Sequence, residues 1–340
     1  MNNWKTVGRV GQTVGDLGER GVIELMRRYF DLMPGIVVPF GDDVSAVSLG
    51  SGEVAVLKAD MLVGKTDVPA GMSFLQAGRK AVVMNVSDFA AKGVQPQAVQ
   101  VSLGLPHDLK RAAVEQLAKG LNSGAREYGC YVVGGDTGEA NDLIVSVQVF
   151  GVATRNEIML RSGAREGDIL AVTGFFGRSA AGLRLLLNSE FKVFKALRKK
   201  LVDAVFMPKA RLREGLGLAI SGAVSASVDS SDGLAWCLNE LSTQSGIGFE
   251  LSDLPVAEDA RQFAELNGID AFELALYGGE EYELVVTIKP ELWAKAEAAV
   301  VSAGGKLLPI GKVTRDRQIS LNAEGRHLEV EARGYEHFKS

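Results

Sequence analysis

Residues 58–69 read KADMLVGKTDVP, and the interpretation of this stretch decides the fold. Ala59, four further residues and then Gly64-Lys65-Thr66 make a loose version of the phosphate-binding P-loop. The strict motif needs glycine at both ends, because its backbone N–H groups must turn inward around the β- and γ-phosphates. Alanine occupies the first position, and Met61-Leu62-Val63 reads as the end of a buried strand rather than a flexible cradle. A P-loop also runs straight into a helix whose N-terminus faces the phosphates. Here Asp67-Val68-Pro69-Ala70-Gly71 follows, and proline with glycine predicts a turn. The P-loop reading is set aside, and Asp60 becomes the residue of interest in this stretch.

On either side, short β-branched runs alternate with helical stretches. The runs are GIVVPF (35–40), EVAVLKAD (53–60), AVQVSLGL (98–105), CYVVGG (130–135) and DLIVSVQVFGVA (142–153), and the helices are predicted at 74–93 and 108–129. This mixture predicts an α/β or α+β chain. A polar, glycine-containing crossing at about 152–168 suggests two domains, 1–152 and 153–340. Beyond it come a strand (ILAVTG), a helix (GRSAAGLRLLLN) and a basic amphipathic helix over 191–206.

Composition narrows the function. The 340 residues are 46% hydrophobic, enough for a large core, and the net charge of −5 gives no electrostatic reason to expect nucleic acid or an anionic membrane as partner. Nothing approaches the roughly 18 consecutive apolar residues of a membrane span, so a cytoplasmic protein is expected. Cys130 and Cys237 lack metal-ligand spacing, and His107, His327 and His337 are scattered, which argues against zinc and against a Ser-His-Asp triad.

Carboxylates carry the signal. Asp42-Asp43, Asp60, Asp88, Asp136 and the pair Asp229 and Asp232 are predicted after apolar strands or within Gly/Ser turns, and Gly278-Gly279-Glu280-Glu281 resembles them. Singly, each is ordinary turn chemistry. Together they predict carboxylates converging at strand ends, where they would repel unless cations held them. Hard oxygen ligands without His or Cys point to Mg²⁺, which shares its remaining positions with substrate phosphates.

In order, the chain carries PFGDDVSAV, KADMLVGKTDVP, KAVVMNVSDFAAKGVQPQAVQVSLGLP, VVGGDTGE, RSGAREGDILAVTGFFGRSAAGL, SVDSSDGL, YGGEEYEL and GYEHF. This series resembles the thiamine-monophosphate kinases, in the superfamily that includes aminoimidazole ribonucleotide synthetase, from about residue 20 to 338. The resemblance implies a two-domain synthetase-like α/β fold, an N-terminal domain that pairs in a homodimer, and an ATP-binding cleft between the domains. It also implies ATP and thiamine monophosphate as substrates with Mg²⁺ as cofactor. The implied metal ligands are Asp43, Asp60, Asp88, Asp136, Asp229 and Asp232. Gly135 and Ser231 would contact ATP, Arg161 would grip its phosphates, and Asp67, Glu280 and Tyr335 would face the thiamine phosphate.

Lys58 and Ala59 stand where most members carry small hydroxyl residues, so hydroxyl ligation there is lost. The expected chemistry needs no general base, because a phosphomonoester with a second pKa of about 6 is already largely ionised at neutral pH. Two alternatives share these residues: another ATP-dependent synthetase of the superfamily, and a nucleotide-binding protein without turnover.

Overall fold

The computed structural model describes residues 13–338, so the part of the N-terminal segment over 1–12 lies outside the described residues. Two compact units are present. Residues 13–35 and 335–338 belong to one, which holds helix α1 (Val14–Arg27), capped by Thr13 and interrupted at Gly18. The other runs from Ile36 to Gly334 and contains both sheets.

Four strands of the first sheet follow from the β-branched runs, whereas its first strand, over Ser45–Gly50, has no counterpart among them. Strands β1 (Ser45–Gly50), β2 (Glu53–Val63), β3 (Pro96–Leu105), β4 (Tyr131–Glu139) and β5 (Ile144–Thr154) lie in the order β1-β2-β5-β3-β4. All pairs are antiparallel except β3 with β4. Period-two alternation assigns the faces: Val54, Val56 and Leu62 of β2 are buried, whereas Leu57 and Met61 point outward and are exposed. Lys58 and Asp60 continue the inward row between Val56 and Leu62, so one polar gap interrupts an apolar face.

A single turn of helix, α2 (Gly64–Asp67), precedes the turn that Pro69 and Gly71 predicted. It still builds no phosphate cradle, because Gly64 N–H donates to the Leu143 carbonyl (2.7 Å) and Lys65 N–H to Asp142 Oδ2 (2.9 Å). The GIVVPF run, expected as a strand, contributes isolated bridges from Val38 and Phe40.

Helix α3 (Phe74–Lys92) is the predicted helix. Ser73 and Gln76 form a capping box at its start, and Gly93 at φ 67° ends it in the left-handed conformation. Almost all of it is buried, including Arg79, Lys80 and Lys92. It packs against β2 and β5 on one side and meets β7 of the second sheet on another, with α4 (Arg111–Glu127) beside it. The approach to α4 is close: a Cβ at Gly120 would sit 2.0 Å from the Leu75 carbonyl oxygen.

The second sheet holds β6 (Ile169–Val172), β7 (Val224–Asp229), β8 (Gly248–Leu251), β9 (Leu284–Ile288), β10 (Leu308–Thr314), β11 (Ile319–Ala323) and β12 (Arg326–Glu329), in the order β12-β11-β8-β10-β6-β9-β7. Around it lie α5 (Arg178–Leu187), α6 (Lys195–Phe206), α7 (Leu212–Ser221), α8 (Leu234–Ser245), α9 (Glu258–Asn267), α10 (Ala271–Tyr277) and α11 (Trp293–Ser302). The basic helix predicted from 191 therefore starts four residues later, at Lys195.

The start of α5 is fixed from a distance. Gly177 offers no capping side chain; instead Ser179 N–H donates to Glu281 Oε1 (3.0 Å) and Ser179 Oγ to the Gly279 carbonyl (2.6 Å). Burial raises the Glu281 carboxyl from 4.5 to about 7, against the lowering effect of Ser179. The raised value means the folded protein keeps this proton after the unfolded chain has lost it. The resulting stability is complete below pH 4.5 and is lost as pH rises to about 7. Thermal melts of wild type and Glu281→Gln across pH 4.5–8 are expected to show a Tm difference that moves in favour of the variant as pH rises. A difference independent of pH would contradict this account.

Candidate active site

The polar gap on β2 faces the last turns of α3, and carboxylates from four elements meet there. Asp43 comes from the loop before β1, Asp88 from α3 and Asp229 from the end of β7; ligand oxygens of these three buried residues all lie within 4.8 Å of one another. Asp60 joins them from β2, its backbone N–H held by Asn85 Oδ1 at 2.8 Å. Of the six predicted ligands, these four are brought together. Asp136 is exposed on the edge strand β4, and Asp232 is half-buried in the loop after β7; among the described residues neither belongs to the three-carboxylate group.

The secondary structure around the carboxylates differs from the expectation. Asp60 sits inside a strand, Asp88 inside a helix, and Gly134-Gly135-Asp136 continues β4 rather than turning. Gly135 is demanded by packing as well as by its positive φ, since a Cβ there would lie 1.8 Å from the Val101 carbonyl oxygen.

Cations interleave these carboxylates. Lys58 Nζ lies 3.1 Å from Asp60 Oδ1 and 3.1 Å from Asp88 Oδ2. Lys92, fully buried at the end of α3, reaches Asp42 Oδ1 (2.6 Å), Asp43 Oδ2 (2.8 Å) and the Ser227 carbonyl (2.8 Å). Arg161 Nε donates to Asp43 Oδ1 (2.6 Å), and the Arg161 backbone N–H donates to Asp42 Oδ2 (3.0 Å). Ser87 Oγ donates to Asp229 Oδ2 (2.6 Å).

The electrostatic result is uneven. Burial alone would raise the Asp43 carboxyl, but Lys92 and Arg161 overcome it and hold Asp43 below the usual carboxylate range. Burial pushes Asp88 well above that range despite Lys58, with Asp229, Asp60 and Asp43 adding to the rise. Asp229 is pushed up to about 7 by burial and then by Asp43, partly offset by Ser87. Asp88 and Asp229 are thus under-compensated acids, the condition that a bound divalent cation relieves. An all-oxygen, all-carboxylate donor set fits Mg²⁺ better than a softer metal.

Ser231, Glu280 and Asp67 gather at a second place in the larger unit. The loop 229–233 lies against the turn 278–283, where Glu280 N–H donates to the Ser231 carbonyl (2.7 Å) and Tyr282 N–H to the Ser230 carbonyl (2.8 Å). Glu280 (φ 63°) and Tyr282 (φ 55°) are held in the left-handed region without being glycine. Lys80 Nζ lies 2.6 Å from Glu280 Oε1 and donates to the Asp67 carbonyl (3.1 Å), linking α2, α3 and this turn. Asp67 Oδ2 accepts from Val63 N–H (2.7 Å). Tyr335 belongs to the other compact unit, where its hydroxyl lies 3.2 Å from His337 Nδ1.

Lys80, Lys92, Asn85 and Ser87 were not singled out by sequence reasoning, and Lys58 stood there only as a lost hydroxyl ligand. The available signal was α3 itself, which carries charges yet has no continuous polar face, so its charged residues must find buried partners.

Residues 41–153 match the family model for the N-terminal domain of AIR synthase related proteins, and residues 165–324 match that for the C-terminal domain. The thiamine-monophosphate kinase of Nitrosopumilus maritimus is 35% identical over 298 residues, covering 88% of this chain and 93% of its own. That of Pyrococcus horikoshii is 36% identical over 301 residues, covering 88% and 91%. Among solved structures, AaThiL complexed with AMPPCP and TMP superimposes with a TM-score of 0.83 at 29% identity, over 97% of this chain and all of the other. Hydrogenase maturation protein HypE in complex with ATP shares the fold, at a TM-score of 0.65 and 21% identity. With both domain models matched and full-length relatives above 30% identity, the chain belongs to the thiamine-monophosphate kinase family of AIR synthase related proteins.

Proposed function

We propose that this protein transfers the γ-phosphate of ATP to thiamine monophosphate, forming thiamine diphosphate, with Mg²⁺ held by its aspartates. The observation that carries the reading is the buried group of Asp43, Asp88 and Asp229 where α3 meets β7, in a chain of this family. The similar solved structure named with AMPPCP, an analogue of ATP, and TMP supports the same substrate pair.

Bound Mg²⁺ would neutralise the approaching phosphates and stabilise charge on the transferred group during in-line displacement. The protein's share is positioning. Asp60, Asp88 and Asp229 present oxygens from three rigid elements, and Ser87 and Asn85 fix the orientation of that set. Lys92 and Arg161 hold the Asp42-Asp43 loop in place. Asp136 and Asp232 would complete the metal ligands, and Gly135, Ser231 and Arg161 would contact the nucleotide.

Glu280 would face the thiazolium cation, with Asp67 and Tyr335 as further substrate residues. Because Lys80 already neutralises Glu280, the turn offers a dipolar pair rather than a bare negative charge. No side chain has to remove a proton from the ionised phosphate nucleophile. The proposed division into domains at 152/153 falls within the last residues of β5, which ends at Thr154.

A homodimer is part of the same reading. Every residue of β4 is exposed, and the outer face of the first sheet presents Leu57, Val133 and Phe150 around a concavity of about 730 Å³, with Met61 exposed beside them. A solvent-facing apolar sheet with an open edge is a surface that a second copy would cover. A cytoplasmic location agrees with the absence, among the described residues, of any helix long and apolar enough to cross a membrane.

Mixing the protein with ATP, Mg²⁺ and thiamine monophosphate should release ADP and yield thiamine diphosphate by mass spectrometry; ATP binding without turnover would favour a nucleotide sensor. Asp88→Asn is expected to lower kcat by about 100-fold or more, the scale of losing one transition-state electrostatic group, while leaving the circular dichroism spectrum unchanged. Retained turnover in that variant would remove Asp88 from the metal set. Light scattering should give a mass near twice the 36.2 kDa of one chain, falling to the single-chain value for Val133→Glu. A monomeric wild type would refute the dimer.

A further inference from the structure

We propose that Lys58 is a tethered counter-ion of the aspartate site, its ammonium occupying the position between Asp60 and Asp88 that a divalent cation would otherwise take. The inference rests on the metal-binding part of the function proposed above.

Three observations carry it. The ammonium is equidistant from the two carboxylates, 3.1 Å from each, which is the bridging position of a cation rather than the end-on geometry of one ion pair. Its location is dictated by the strand: Lys58 and Asp60 are i and i+2 on β2, so both point to the face that packs on α3. The lysine is also shielded, with its side chain 18% exposed and that of Asp88 7% exposed, so the attraction is poorly screened by solvent.

Lys58 differs from the neighbouring cations in what it holds. Lys92 and Arg161 are directed at the Asp42-Asp43 loop, and Lys92 also caps the Ser227 carbonyl. Lys58 alone among the described residues reaches both Asp60 and Asp88 in an ion pair. Those two carboxylates come from different elements, β2 and α3, and would repel without a charge between them. A compact, three-donor ammonium on a flexible stem suits a bridging place, and unlike a metal ion it cannot dissociate.

The consequence is a lower demand for free divalent cation. The site keeps one positive charge at all metal concentrations.

The test is direct titration of the full chain with MnCl₂, counting bound ions by electron paramagnetic resonance without nucleotide or substrate. Melting temperature is followed in parallel, with and without Mn²⁺. Lys58→Ala is expected to bind one more Mn²⁺ per chain than wild type, to melt lower than wild type in chelator, and to recover more on adding Mn²⁺. Lys58→Arg, which keeps the charge, is expected to match the wild-type count. If Lys58→Ala does not fold, Lys58→Gln provides the same comparison with the stem retained. Equal counts and equal metal-induced shifts in wild type and the neutral variants would overturn the inference while leaving the metal reading standing. Weaker Mn²⁺ binding in the neutral variants would overturn it as well. No Mn²⁺ bound by any of the proteins would overturn both it and the metal reading.

Discussion

Lys92 ends a helix in the interior of the protein, and stripping water from an ammonium costs several kcal/mol unless its partners are in place. Those partners come from both halves of the larger unit: Asp42 and Asp43 precede the first sheet, and the Ser227 carbonyl belongs to a strand of the second. Removing any one of them would leave buried charge uncompensated, at a cost of about 3–5 kcal/mol for a broken pair. The lysine therefore couples the loop that supplies Asp43 to the strand that supplies Asp229. Ser87, one turn earlier on the same helix, makes the second link by donating to Asp229. The carboxylates meet because the helix between the two sheets cannot bury its own charges in any other arrangement.

Such an arrangement explains which parts were legible in the sequence. Helix α3 was legible over 74–93, and the β-branched runs located β2 to β5 but not β1. The aspartates were also legible as a set, since acidic residues beside small ones recur along the chain. Their local settings were not. Asp60 and Asp88 lie inside regular elements, where the sheet and helix orient them more firmly than a turn would. The cations stayed hidden because a lysine destined for burial looks, in one dimension, like a lysine destined for solvent. Lys58 stood out as a lost hydroxyl ligand, yet its meaning depends on Asp88, thirty residues away in sequence and 3.1 Å away in space. The placement of Tyr335 in the smaller unit was likewise beyond a reading of local pattern.

The same helix accounts for the uneven state of the acids. Asp43 has two cations directed at it and is held ionised, whereas Asp88 and Asp229 have less compensation and rise. A site of this kind is balanced toward gaining positive charge. This agrees with a protein whose histidines are few and whose chemistry, as proposed, requires charge neutralisation rather than proton transfer.

The turn at 278–283 has a bearing on engineering. Glu280 and Tyr282 occupy backbone conformations that glycine or asparagine would adopt at less cost, and each such residue stores on the order of 1 kcal/mol or more. A redesign that weighed backbone strain alone would replace them first, yet Tyr282 is buried in the core and Glu280 pairs with the buried Lys80, so the packing and the ion pair lost outweigh the strain relieved. Such a redesign would also erase the Glu280 carboxylate that Lys80 holds in this turn. Substitutions that look most profitable by backbone strain are here the ones to forbid, because the two left-handed side chains are held by what they bury and pair with.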